Sequence, residues 1–210
     1  MKRTLFPGYS VGTDAYEDIK EICPAYGKKA AIIGGKHALA AAQDKIIAAA
    51  KEAGIEIIGP FWYGGEASVE NIEMLKSKVA DADMIFAVGG GKAIDTCKVL
   101  SHSTGRPFFT FPTIASTCAS CTSLGILYHP DGSREYSFSK IPPKHIFIDT
   151  QIIADAPDKY LWAGIGDTMA KHYECTVSSR GDIPAHSDAM GIALSSMCAV
   201  PMLRWGEKAL

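Results

Sequence analysis

The chain has 210 residues, 47% of them apolar and 21% charged, with a formal net charge of −2. That is the balance of a globular protein, and it gives no electrostatic case for nucleic acid or an anionic membrane as partner. No run reaches the roughly 18 apolar residues of a membrane span, and the opening MKRTLFPGYSVGTDAYED turns polar too early for a secretory signal.

In chain order, Lys29–Ile33 predicts a buried strand that stops at Gly34 and Gly35. Residues 36–53 form an alanine-rich helix, closed by Gly54 where a terminal glycine belongs. Ile55–Ile58 is a second strand. Ser68 reads as an N-cap, with Asn71 rather than Glu three residues on, and the spacing of 69, 72, 75 and 79 predicts a helix over 69–79. Residues 83–88 form a third strand that runs into Gly89, Gly90 and Gly91, and an amphipathic helix through Ile94, Cys97 and Leu100 follows. Residues 106–111 are a fourth strand, ended by Pro112. Residues 124–128 and 134–138 flank the turn signal Pro130-Asp131-Gly132 and predict a hairpin; 145–149 is a last strand. Alternation of strand and helix means βαβ units, a parallel sheet and helices on both faces: an α/β fold of Rossmann-like type.

From about residue 155 the pattern turns helical, first to Ser178, then through the loop SSRGDIP at 178–184, and finally from His186 to Leu203. Two domains are therefore expected, an α/β domain over 1–157 and the start of a helical domain over 158–210. Met190, Ile192, Leu194, Met197, Val200 and Leu203 cover too much of the last helix for it to face water. An incomplete domain is the expectation, with homo-oligomerisation as the alternative.

Chemistry concentrates at Gly89-Gly90-Gly91-Lys92. Three glycines let a phosphate approach the backbone, the following helix presents free N–H groups to an anion, and Lys92 adds positive charge. The pattern is neither G-x-G-x-x-G nor a P-loop, so a plain strand-to-helix turn stays open, although strand, glycines and helix stand in the order a nucleotide site requires.

Four segments, VGGGKAIDTCK (88–98), FPTIASTCASCTSLGILYHPDG (111–132), IDTQIIADAP (148–157) and AGIGDTMAKHYE (163–174), together resemble the glycerol dehydrogenase-like members of the iron-containing (group III) alcohol dehydrogenases. That superfamily also includes dehydroquinate synthase. The resemblance implies an NAD(P)-binding α/β domain, a helical metal domain, and oxidation of a small alcohol or polyol by hydride transfer. It matches Gly89, Gly90, Gly91 and Lys92 to the pyrophosphate loop. Asp95 matches an acidic residue near the nicotinamide. Thr113, Ser116, Thr122, Leu124, Ile126 and Tyr128 match the segment lining the dinucleotide. Asp167 matches a ligand of the divalent metal, zinc by preference or iron. The other ligands of the family are two histidines expected beyond this chain. His172, five residues after Asp167, lies about 140° around a helix from it and does not share its face.

Two positions depart from the pattern. Cys118 stands where relatives usually carry an acidic residue in the substrate pocket. Gly35 stands where they commonly have Asp, whose carboxylate accepts from the ribose 2′-OH and repels a 2′-phosphate; NAD and NADP thus both stay open. The pair Cys118 and Cys121 has the spacing of a thioredoxin dithiol or half a zinc site. No second CxxC completes a zinc site, and the pair reads as incidental. With six cysteines scattered along a chain this large, reduced thiols and a cytoplasmic location are expected. The alternatives to a dehydrogenase are a dehydroquinate-synthase-like lyase and a catalytically incomplete NAD(P)-binding fragment.

Overall fold

A computed structural model of the chain describes residues 6–139, 141–179 and 185–209; most of the predicted 178–184 loop lies outside the described residues. The elements are β1 (Gly8–Gly12), a short α1 (Ile19–Ile22) between two 3-10 turns, β2 (Lys29–Gly34), α2 (Lys36–Glu52), β3 (Glu56–Trp62), α3 (Val69–Lys78), β4 (Met84–Gly89), α4 (Gly91–Thr104) and β5 (Phe108–Pro112). Then come β6 (Leu124–Tyr128), β7 (Arg134–Phe138), β8 (His145–Asp149), α5 (Thr150–Ala154), α6 (Asp158–Ser178) and α7 (His186–Trp205).

Six strands pair in the order β1-β8-β5-β4-β2-β3, every pairing parallel. Successive side chains of a strand point to opposite faces, and the core divides accordingly. On one face Ala30, Ile32, Phe86, Val88, Phe109, Phe111 and Phe147 pack with Ile19 and Cys23 around α1 and with Ala42, Ile46 and Ala50 of α2. Phe111 stacks on Phe147 at 4.9 Å, and Tyr16 meets Phe111 edge-on at 5.4 Å. On the other face Ala31, Ile33, Ile85 and Ala87 pack with Ile72 and Leu75 of α3, Ile94, Cys97 and Leu100 of α4, and Leu127 of β6. The β6–β7 hairpin is a separate antiparallel ribbon.

The predicted strands and helices recur within a few residues of their expected bounds. The Ser68 hydroxyl accepts from the Asn71 N–H, the expected cap. Strand β3 extends further than expected because it takes Pro60 into a sheet edge, where a missing N–H costs no ladder bond. Three elements had no signal in the sequence reading. Strand β1 is an exposed edge of GYSVG with no apolar run. The turns around α1 are too short for a period to register. Helix α5 is set by Asp149, a fully buried carboxylate that accepts from the N–H groups of Gln151 and Ile152 and from Lys45 Nζ at 2.8 Å.

A second carboxylate joins two strand starts. Asp83 accepts from the Lys28 and Lys29 N–H groups at 2.8 and 2.9 Å, and these bonds hold its pKa below the usual carboxylate range. Gly27, at φ +141°, leaves the room: a Cβ there would lie 2.2 Å from Asp83 Cβ. A folded pKa below the unfolded value of about 3.9 gives stability that is full above that value and lost as pH falls through the folded one. The Tm gap between the protein and Asp83→Asn should therefore be open at about pH 5.5 and close as the pH falls through the lowered folded pKa. A gap that persists in acid would show that the carboxylate's charge is irrelevant to this junction.

Contacts divide the chain into two units. One holds the sheet with its helices, residues 6–114 and Cys118–Ala156; the other holds Ala115–Thr117 and the residues from Pro157 on. Within the second unit, α6 lies directly on the 115–117 backbone, since a Cβ on Gly164 would stand 1.8 Å from the Ala115 carbonyl oxygen. Helices α6 and α7 leave Trp162, Tyr173, Leu194, Met197, Val200, Leu203 and Trp205 more than half exposed or nearly so. The last helix does face solvent with its apolar residues, as its composition foretold for a helix short of partners.

Candidate nucleotide site

Chain order sets the site. From β2 the chain moves outward to β3, then crosses back to β4 on the other side of β2 and continues to β5 and β8. Counted from β2, this is the 2-1-3-4-5 order of doubly wound sheets, whose crevice opens where the winding reverses, beyond the carboxyl ends of β2 and β4. Both of those ends are glycines. Gly34 lies one register step from Gly89, paired with Val88, and Gly89 pairs with Pro112.

Close approach explains the glycines. A Cβ on Gly34 would stand 2.5 Å from the Val88 carbonyl oxygen. Gly89 has φ +138°, and a Cβ there would meet Ala93 at 3.3 Å and Ala38 at 3.4 Å. Gly35 and Gly90 are the N-caps of α2 and α4, and neither offers a side chain to the first N–H groups. Two helix N-termini thus open side by side at the reversal, their amides free for an anion. Gly91 is the first residue of α4. Gly35 differs from the rest. Its backbone is ordinary (φ −76°, ψ 151°), and a Cβ would find nothing nearer than Tyr63 Cε1 at 3.6 Å. Nothing in the fold requires glycine at Gly35.

Lys92, expected to face an anion, gives its ammonium to Glu66 at 2.6 Å and lies over the Tyr128 ring at 5.7 Å. The Glu66 hydrogen bond raises its pKa, and the pair is close to neutral. The loop's positive potential therefore comes from backbone amides.

The inner half of α4 organises the segment after β5. Asp95 is largely buried; burial raises its pKa, against the pull of Lys98 and the Ile126 N–H, which donates to it at 3.3 Å. Lys98, fully buried, gives its ammonium to Asp95 Oδ1 (2.9 Å), Ala119 O (3.0 Å), Thr122 Oγ1 (3.1 Å) and Leu124 O (2.6 Å). The sequence reading missed this residue. Its signal was the i, i+3 spacing from Asp95 in AIDTCK, an ordinary helix-surface pair until the hairpin covers it. Thr113 is buried, its N–H 3.4 Å from the Gly89 carbonyl. Thus Gly89–Gly91, Lys92, Asp95, Thr113, Thr122, Leu124, Ile126 and Tyr128 converge around the start of α4. Cys118 is exposed at the head of a 3-10 turn in the same unit.

Ser116 and Asp167 belong to the other unit. Asp167 Oδ1 pairs with Lys171 Nζ at 3.2 Å, one turn along α6. Among the described residues no three His, Cys, Asp or Glu side chains gather where they could hold a metal. His172 shares α6 with Asp167 but joins no such group, and its Nδ1 is buried without a partner. His129 pairs with Glu135, and His145 with Ser10.

The family model for iron-containing alcohol dehydrogenase matches residues 7–150. The chain belongs to that family. A glycerol dehydrogenase of Escherichia coli O6:H1 is 34% identical over 213 residues, covering 97% of this chain and 58% of that protein. Hydroxycarboxylate dehydrogenase A of Escherichia coli K12 is 38% identical over 151 residues, 71% of this chain and 41% of that protein. The crystal structure of glycerol dehydrogenase from Schizosaccharomyces pombe superimposes with a TM-score of 0.81 at 28% identity, over 98% of this chain and 54% of that one. The match of this iron-containing alcohol dehydrogenase chain therefore spans only part of its curated relatives, 58% of the first and 41% of the second. The family implies a nicotinamide dinucleotide and a divalent metal.

Proposed function

We propose that residues 6–157 form an NAD(P)-binding domain and that 158–210 begin a helical domain, together part of a dehydrogenase acting on a small alcohol or polyol. The observation that carries this is the pair of glycine-led helix N-termini at the reversal of a 2-1-3-4-5 sheet. A bound dinucleotide would supply the hydride acceptor for the alcohol carbon. The amides after Gly34 and Gly89 would hold its pyrophosphate without bringing a side chain close. Asp95 and Lys98 hold the 119–126 backbone that lines the nicotinamide half. Thr113, Thr122, Leu124, Ile126 and Tyr128 are assigned to that lining.

Among the described residues, Asp167 is assigned as a metal ligand. The metal it would help to hold is zinc in preference to iron, and belongs to the whole enzyme. Cys118 is assigned to the substrate side. Its thiol is a weaker acceptor than a carboxylate, so alcohols with fewer hydroxyls than glycerol fit it better. No helix among the described residues is long and apolar enough to cross a membrane. A cytoplasmic homo-oligomer completes the proposal, its contact made by the exposed apolar residues of α6 and α7.

Fluorescence titration with NADH and NADPH tests the dinucleotide site. The protein should bind both with affinities within about tenfold of each other, since no carboxylate repels a 2′-phosphate. Gly35→Asp, which the backbone accepts, should weaken NADPH by about tenfold or more and leave NADH bound. Failure of the folded chain to bind either cofactor would refute the assignment. The Gly90→Val substitution is a poorer probe, because a Cβ there meets Ile114 Cδ1 at 2.5 Å and would disturb the wall itself.

A further inference from the structure

Between Thr117 and Thr122 the backbone turns through a short 3-10 segment, Cys118–Ser120, closed by the Cys121 N–H donating to the Cys118 carbonyl at 3.1 Å. In 3-10 geometry side chains at i and i+3 eclipse one another. The Cα atoms across such a turn lie within about 7 Å, and a disulfide wants about 4.4–6.8 Å. The Cys121 thiol already turns back, 3.1 Å from the Cys118 carbonyl oxygen.

A second observation separates this pair from two thiols on a floppy loop. The turn is anchored to buried groups beneath it. Ala119 O and Leu124 O accept from the buried Lys98 ammonium, Thr122 Oγ1 does the same, and Ser120 O accepts from the buried Thr110 hydroxyl at 3.0 Å. Both cysteines are exposed as residues; burial, and then the neighbouring Cys118, raise the Cys121 thiol, which leaves Cys118 as the first attacker. Of the remaining cysteines, Cys23 and Cys97 are buried. Burial pushes the Cys23 thiol up to about 12 and the Cys97 thiol higher still, so neither supplies thiolate.

We propose that Cys118 and Cys121 are a dithiol site for small-molecule disulfides, closing reversibly to an intramolecular disulfide. One cysteine thiolate attacks a sulfur of the small disulfide, forming a mixed disulfide and releasing one thiolate. The other cysteine then attacks the protein sulfur of that mixed disulfide and releases the second. Two protein thiols are oxidised, one small disulfide is reduced to two thiols, and the two protons pass to solvent or to the released thiolates. This reverses the reading of the pair as incidental, and it does not depend on the dehydrogenase assignment.

Reduced protein is incubated with oxidised glutathione, quenched in acid, alkylated and digested with trypsin. Residues 99–134 form one peptide that holds Cys118 and Cys121 and no other cysteine, since Arg106 precedes Pro107. This peptide should lose two hydrogens, about 2 Da, with neither cysteine alkylated, while Cys118→Ser and Cys121→Ser each keep a glutathione adduct on the remaining thiol. The folded chain should also hold its disulfide against about tenfold more reduced glutathione than the same chain in urea. Either a glutathione adduct without the loss of two hydrogens, or equal resistance folded and unfolded, would overturn the proposal.

Discussion

Lys98→Met should be the most damaging single substitution in the sheet unit. Methionine matches the length of the stem, so the loss is the ammonium. Asp95 would be left buried beside the Ile126 N–H, and the carbonyls of Ala119 and Leu124 would lose the ammonium, Leu124 O keeping the Thr122 hydroxyl at 3.3 Å. Breaking a buried ion pair from one side costs about 3–5 kcal/mol, a large share of the 5–15 kcal/mol that holds a domain together. Urea unfolding should register it as a fall in midpoint at unchanged slope. Removing the partner charge as well, in Asp95→Asn with Lys98→Met, should recover part of the loss, because the uncompensated carboxylate is then gone. A single variant within about 0.5 kcal/mol of the parent would mean that solvent reaches this cluster. The same variant that still folds should bind dinucleotide more weakly, since the 119–126 backbone loses its anchor.

Two glycines one residue apart in α6 should answer the same substitution with opposite signs. Alanine is favoured over glycine within a helix by about 0.8–1.0 kcal/mol. Gly166 has nothing within 4 Å of a would-be Cβ, so Gly166→Ala should stabilise by roughly that amount. A Cβ on Gly164 would run into the Ala115 carbonyl oxygen, a backbone atom that cannot rotate away. Gly164→Ala should therefore lift α6 from the 115–117 segment and destabilise by about 1–3 kcal/mol, the usual cost of overpacking. Thermal unfolding of the two variants side by side reads the difference. Two stabilised variants would show that α6 does not touch that backbone.

The strands of the central sheet were legible because each is a short apolar run bounded by glycine or proline, and a strand buried on both faces carries that pattern in full. Strand β1 was not, because an edge covered on one side needs few apolar residues. The glycine turn at 89–91 could be placed after a strand and before a helix from composition alone. Its neighbour at 34–35 read from the residues alone as a strand end and joined the dinucleotide site, at Gly35, only through the family resemblance; strand order, which no local pattern encodes, sets the two side by side. The apolar surface of α7 was anticipated from its composition, since no arrangement with one partner helix hides that many side chains.

The sequence by itself determined where strand and helix alternate, which turns could admit an anion, and the family to which the chain belongs, because these depend on local residue order. Only the tertiary structure decided what the charged residues of the site do. Lys92 is neutralised by Glu66, twenty-six positions away, and Lys98 is committed to a loop more than twenty positions on. Gly35, unlike Gly34, needs no glycine. Each of these depends on which distant backbone lies within a few ångströms, a property of the packed sheet rather than of the neighbours along the chain.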